Sequence, residues 1–186
     1  MRIIAGAWRG RRLEVPPGIR PMQDRERERL FAMLHARLEG AAVLDVFAGS
    51  GAISLEALSR GARLATLCEN GRRVLPVLRR NLAGFEAGDR ARLLPISAFG
   101  LPKSGEPGQG TVDVAVAGPP FPLLTDPALR ARFHTLFQYI ARQLLAPGGV
   151  FALEHPASLA PGPASGLGAP RTTRRTGASA VSIWDG

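Results

Sequence analysis

Val43-Leu44-Asp45-Val46-Phe47-Ala48-Gly49-Ser50-Gly51 is an apolar strand that runs directly into a glycine turn. The residues that follow, 52–59, read as a helix, so the segment is strand, tight turn, helix. Apart from Asp45 the strand has no polar alternation, the pattern of a strand covered on both faces. The same alternation repeats outward. Strands are predicted over 64–68, 92–96, 112–117 and 150–154. A helix is predicted over 72–82, with Pro76 in its first turn or at a bend. Leu129, Phe133, Leu136, Phe137, Ile140 and Leu144 form a helical stripe closed by Pro147-Gly148-Gly149. Residues 174–177 and 180–184 read as a final strand pair. Strands alternating with helices predict an α/β fold, Rossmann-like, with a mostly parallel seven-stranded sheet covered on both faces.

Residues 1–21 precede this domain, which occupies 22–186. Short apolar runs at 2–5 and 12–15, broken by Gly6 and Gly10, predict an N-terminal β-hairpin. Asp24 is the expected N-cap of a helix through Leu38, with Leu30, Phe31, Leu34 and Leu38 as its apolar stripe. The Gly- and Pro-rich segments 97–110 and 155–170 read as loops, the second as a mobile one.

The chain of 186 residues carries a net charge of +9, nearly all of it from arginine, since Lys103 is the only lysine. The excess is concentrated at the start: Arg2, Arg9, Arg11, Arg12 and Arg20 face the single acid Glu14 in residues 1–22. A patch of this kind points to a polyanion, nucleic acid above all. No run of about 18 apolar residues suggests a membrane span. The N-terminus lacks the apolar core of a signal peptide. Cys68, the only cysteine, leaves no disulfide framework. A cytoplasmic protein without membrane attachment is expected.

The turn carries chemistry as well as geometry. Gly49 and Gly51 let the backbone approach a ligand, and the helix behind them presents unpaired N–H groups. The spacing is not Gly-x-Gly-x-x-Gly, which argues against a dinucleotide. Asp45 lies in the strand just before the turn, and Glu69 ends the next strand. An acid in the second position can hold the ribose hydroxyls of an adenosine. Two carboxylates also suit the positive charge of a sulfonium. The expected cofactor is therefore S-adenosylmethionine.

Several stretches resemble the RsmD-type family of enzymes, which methylate the N2 amine of a guanine in 16S ribosomal RNA. They are Met1-Arg-Ile-Ile-Ala-Gly-Ala-Trp-Arg-Gly-Arg-Arg-Leu13, Arg20-Pro21, Asp24-Arg25 with Leu30-Phe31, and Leu44 to Gly51. Leu55-Glu-Ala-Leu-Ser-Arg-Gly-Ala62, Leu145-Ala-Pro-Gly-Gly149, Glu154-His155 and Arg175-Thr-Gly177 complete the set. The resemblance implies a class I methyltransferase acting as a monomer on 16S rRNA, in the small ribosomal subunit or its assembly intermediate. It implies that Asp45, Gly49, Ser50 and Gly51 line the methionine side of the cofactor, with Phe47 in the same cofactor-binding set. Glu69 would hold the ribose, and Asn70 and Ser97 would border the adenine. Arg2, Arg9, Arg11, Arg12 and Arg20 would contact RNA, and Trp8 would either stack on RNA or pack the hairpin.

The chain departs from that family at its target-base motif, Asp-Pro-Pro-Tyr/Phe, or Asn in place of Asp in related amine methylases. Here the catalytic run is Gly118-Pro119-Pro120-Phe121. Gly118 offers no side-chain acceptor for the amine, whereas the Pro119 carbonyl can accept one N–H and Phe121 can stack on a flipped base. Ser97 replaces an acid, and Met22-Gln23 replaces a hydroxylated pair. Three functions follow: an rRNA guanine-N2 methyltransferase, a catalytically weakened relative that binds RNA and cofactor, or a methylase of DNA or protein amines, against which the hairpin argues. Cys68 reads as a core thiol, and Phe133 and Phe137 as core. His134 is expected on the polar side of its helix. His35, His134 and His155 lack ligand spacing, so no metal is expected.

Overall fold

A computed structural model describes residues 1–19, 21–160 and 167–186. Helix α1 (Asp24–Leu34) precedes an alternating series: β1 (Ala42–Asp45), α2 (Ala52–Ser59), β2 (Leu64–Cys68), α3 (Leu75–Gly84) and β3 (Ala91–Leu94). After the short helix α4 (Leu101–Ser104) come β4 (Val112–Ala117), the short helix α5 (Pro122–Thr125), α6 (Pro127–Tyr139) and β5 (Leu145–Pro156). The chain closes with β6 (Thr172–Thr176) and β7 (Ser179–Asp185).

The seven strands form one sheet in the order β3-β2-β1-β4-β5-β7-β6. The first five are mutually parallel, and β7 runs antiparallel to both β5 and β6. From β1 the chain moves to β2 and β3, then returns to β4 on the other side. That reversal opens a crevice at the carboxyl ends of β1 and β4, the place where open α/β sheets bind ligands.

Strand alternation sorts the core into two layers. Val43, Val114, Val116, Val150, Ala152 and Ile183 face α1, α2 and α3 through Phe31, Leu55 and Leu78. Leu44, Val46, Ala115, Ala117, Phe151 and Leu153 face α6 through Phe133 and Phe137. Those two phenylalanines are fully buried and pack ring to ring at 3.9 Å, so the expected core stripe is present. Cys68 is likewise buried in the core.

Several boundaries differ from the sequence pattern for identifiable reasons. The N-cap of α1 is Gln23, whose side chain forms a reciprocal capping box with Glu26. Asp24 is instead the first helical residue and accepts from Arg27 Nη2 at 2.9 Å. The expected helix through Leu38 tightens into a 3-10 turn at His35–Arg37. Pro76 does fall in the first turn of α3, where its missing N–H costs nothing. The N-terminal segment forms one antiparallel bridge, Arg2 to Arg12, rather than two strands. Hydrogen bonds from Ile3 N–H to Arg11 O and from Leu13 N–H to Met1 O flank it. The pairing stops there because Ile4 and Ala5 donate their N–H groups to α2 instead. Within the loop expected at 155–170, β5 continues to Pro156, and residues 161–166 lie outside the described residues. Among the described residues no helix is long and apolar enough to cross a membrane.

Candidate active site

The glycine loop grows out of β1 without a break. Val46 donates to Val116 O at 2.9 Å, so β1 and β4 stay paired up to the turn, and Ala48 donates to Cys68 O at 3.0 Å on the other side. Gly51 caps α2 with φ of 81°. A Cβ there would sit 2.6 Å from Leu78 Cδ1, so packing against α3 and the left-handed backbone both demand glycine.

Two carboxylates anchor this loop. Asp45 is only 2% exposed and accepts from Ser54 Oγ at 2.9 Å. Burial pushes its pKa up from 3.8 to about 7; the Ser54 hydrogen bonds and the Phe47 N–H pull it down, and the charge of Glu69 adds to the rise. Glu69, just past β2, accepts three backbone N–H groups: Gly49 at 3.0 Å, Asn70 at 2.8 Å and Gly71 at 2.7 Å. It therefore ties the β1 loop to the β2 loop. Phe47 lies between Phe99 and Phe133, with ring centroids 6.5 and 5.9 Å away. Phe99 belongs to the 3-10 turn Ala98–Gly100 that Ser97 precedes, after β3.

Gly118-Pro119-Pro120-Phe121 follows β4 directly, and Phe121 caps α5. The pairing of Asp45 with Val116 sets this motif beside the glycine loop. Pro119 is buried, Pro120 exposed, and Gly118 and Phe121 half-buried. A Cβ on Gly118 would lie 3.3 Å from Glu154 Oε2. Asp45, Phe47, Gly49, Ser50, Gly51, Glu69, Asn70 and Ser97 thus gather with residues 118–121 at the carboxyl ends of neighbouring strands. The described residues contain no group of three or more His, Cys, Asp or Glu that could hold a metal.

The N-terminal arm is held through its main chain and through several of its side chains. Fully buried Glu56 on α2 accepts from Ile4 N–H at 2.7 Å and Ala5 N–H at 3.0 Å, and pairs with Arg60 at 2.7 Å. Ser59, one turn on, accepts from Ala7 N–H through its carbonyl and from Trp8 N–H through Oγ. Asn81 on α3 bonds the Glu14 N–H and carbonyl at 2.9 Å each, and also donates to Ser50 O at 2.8 Å. It therefore joins the end of the arm to the glycine loop. Trp8 packs edge-on against Phe85 at 5.4 Å, with Arg90 over its ring at 5.1 Å. Arg11 lies over Phe85 and donates to Gly84 O at 2.6 Å. Arg2, Arg9 and Arg12 are exposed, and Arg20 lies outside the described residues. Sequence reasoning had not singled out Glu56, Ser59 or Asn81. The signal was a Glu and a Ser three apart on one helix face, both buried where polar residues need partners.

Sheet order, the loop after β1 and the acid after β2 together define a class I, Rossmann-like methyltransferase fold. The chain belongs to the family described as Conserved hypothetical protein 95, whose model matches residues 1–185. It is 48% identical over 124 residues to Ribosomal RNA small subunit methyltransferase D of Escherichia coli K12, spanning 65% of this chain and 60% of that protein. It is 39% identical over 124 residues to the protein of the same name in Haemophilus influenzae, spanning 65% of this chain and 64% of that one. Among solved structures it superimposes on yhhF of E. coli with a TM-score of 0.78 at 33% identity, covering 100% of this chain and 97% of that one. An RNA methyltransferase of Salinibacter ruber, solved with S-adenosyl-L-homocysteine, shares the fold with a TM-score of 0.65 at 16% identity, covering 89% of this chain and 93% of that one.

Proposed function

We propose that this protein is an S-adenosylmethionine-dependent RNA methyltransferase acting on the exocyclic N2 amine of a guanine in the 16S rRNA of the small ribosomal subunit. The observation that carries the reading is that the glycine loop and the Gly118–Phe121 run leave adjacent parallel strands, β1 and β4, at the same end of the sheet. The relatives named as small-subunit rRNA methyltransferases, and the exposed arginines of the arm, support the substrate.

The donor set fits the cofactor. Asp45 and Glu69 are acids at the ends of adjacent strands, and a cation beside Asp45 favours its ionised form against the cost of burial. Glu69 already uses three of its roughly four acceptor sites. Holding both hydroxyls of a ribose therefore displaces at least one loop N–H. When bound, S-adenosylmethionine supplies an electrophilic methyl group on a sulfonium. The chain does the rest: Phe121 stacks on the extruded base, the Pro119 carbonyl accepts one amine N–H, and the pair holds the nitrogen in line with the methyl carbon. Arg2, Arg9 and Arg12 dock phosphates.

The test is to incubate the protein with methyl-tritiated cofactor and small ribosomal subunits from cells lacking this gene. Label in the RNA, at a guanine N2, is expected; unlabelled RNA sinks the proposal. Gly118 favours a second reading, a relative with weakened catalysis that still binds RNA and cofactor. Binding of both ligands without turnover would distinguish it.

A further inference from the structure

Gly118 lacks a side chain, yet the position beside it holds a carboxylate. Ala117 and Leu153 form the last pair of β4 and β5, so Gly118 comes level with Glu154 one step on. Paired residues of parallel strands point to the same face. A side chain on Gly118 and that of Glu154 would therefore share a face, opposite the core face of Ala117 and Leu153. The geometry agrees: the Cβ position of Gly118 is 3.3 Å from Glu154 Oε2. The oxygens of an aspartate at 118 would lie roughly 2.4 Å from the same Cβ. A carboxylate oxygen from β5 thus reaches the space that the motif acid would fill from β4.

Glu154 is also firmly held. Its backbone pairs with Val181 of β7. The next residue, His155, is 1% exposed, and its ring nitrogens contact Pro156 O and Ser182 Oγ at 2.9 Å each. Glu154 is half-buried, so part of it keeps access to water.

We propose that Glu154 is the acid that accepts and orients the substrate amine, supplied across the sheet in place of a side chain at 118. This rests on the methyl-transfer reading above. One amine N–H points at the Glu154 carboxylate and the other at the Pro119 carbonyl. The nitrogen lone pair forms the new bond to the methyl carbon, and the carbon–sulfur bonding pair leaves with sulfur. The extra proton on nitrogen passes to Glu154 and from there to water.

The test uses the same tritium transfer to undermodified subunits, with cofactor affinity measured in parallel. Glu154→Ala should lower kcat by about 10- to 100-fold, the loss of one charge-assisted hydrogen bond, and leave the cofactor Kd near that of the wild type. Glu154→Gln, which keeps an acceptor oxygen, should retain more activity than Glu154→Ala. Gly118→Asp in the wild type should bring no large gain, because Glu154 already supplies the acceptor. Combined with Glu154→Ala, Gly118→Asp should restore part of the lost rate. An active wild type with an equally active Glu154→Ala overturns this inference alone. So does a large gain from Gly118→Asp that persists without Glu154. A wild type that binds cofactor and leaves RNA unlabelled overturns the methyl-transfer reading, and this inference with it.

Discussion

At Gly6 the arm lies too close to α2 to admit a side chain, and Gly6→Ala is a direct test of how the arm is held. A Cβ there would lie 1.8 Å from Ser59 O and 2.7 Å from Ser59 Oγ. Ser59 is buried in the last turn of α2 and cannot retreat, so the arm must lift. Lifting breaks the bonds from Ala7 N–H to Ser59 O, from Trp8 N–H to Ser59 Oγ and from Ser59 Oγ to Ala5 O. At about 1 kcal/mol each these amount to roughly 3 kcal/mol. The left-handed φ of 83° costs alanine a further 1–2 kcal/mol or so. A total of about 4 kcal/mol corresponds to a fall in melting temperature of roughly 8–16 °C for a domain of this size. Thermal unfolding reads the global effect, and hydrogen exchange over residues 1–15 reads the arm. A Gly6→Ala protein that melts within about 2 °C of the wild type, with unchanged protection in the arm, would refute the reasoning.

Asp45→Asn should stabilise the cofactor-free protein more as pH rises. The folded-state pKa is raised from 3.8 to about 7, so the wild type has its full stability from this group below pH 3.8 and loses it as pH climbs to 7. The loss is at most about 4 kcal/mol. Melting at pH 5 and pH 8 checks this: a difference between variant and wild type that does not grow with pH contradicts it. Asn81→Ala strands the Ser50 carbonyl and frees the end of the arm. It should cost about 2–4 kcal/mol in urea unfolding and weaken cofactor binding; unchanged values for both would show that the clamp is idle. Arg9→Ala with Arg12→Ala should reduce the salt dependence of RNA binding by roughly 1–2 in log–log slope while leaving cofactor affinity alone. An unaltered slope removes these side chains from the interface.

The alternation of apolar strands with helices was legible in the sequence because each strand is buried on both faces and reads as an unbroken run. The placement of Asp45, Glu69 and residues 118–121 followed from it, since the ends of adjacent strands must converge. Three features escaped for one physical reason: each depends on a partner distant in sequence. Residues 2–5 have strand propensity, yet Glu56 outcompetes the opposite strand for the N–H groups of Ile4 and Ala5. Glu154 appeared only as part of a motif, and register with β4 is what brings it to Gly118. Trp8 lies against Phe85 and Arg90, partners far along the chain that no local reading could supply. The cap of α1 was missed locally, because Gln23 with Glu26 does what a cap at Asp24 was expected to do.

Glu56, Ser59 and Asn81 grip the arm at Ile4, Ala5, Ala7, Trp8 and Glu14, and every one of those grips is on a peptide group. Peptide groups are the same whatever side chain they carry. Exchanging exposed Arg9 or Arg12 for another residue therefore leaves these grips intact. Adding or deleting one residue between Trp8 and Glu14 would force the clamps out of step, or throw Gly6 off the one place where it fits against Ser59. The arm is a ruler: its spacing is what the domain measures, and the arginines are carried at the distances it sets.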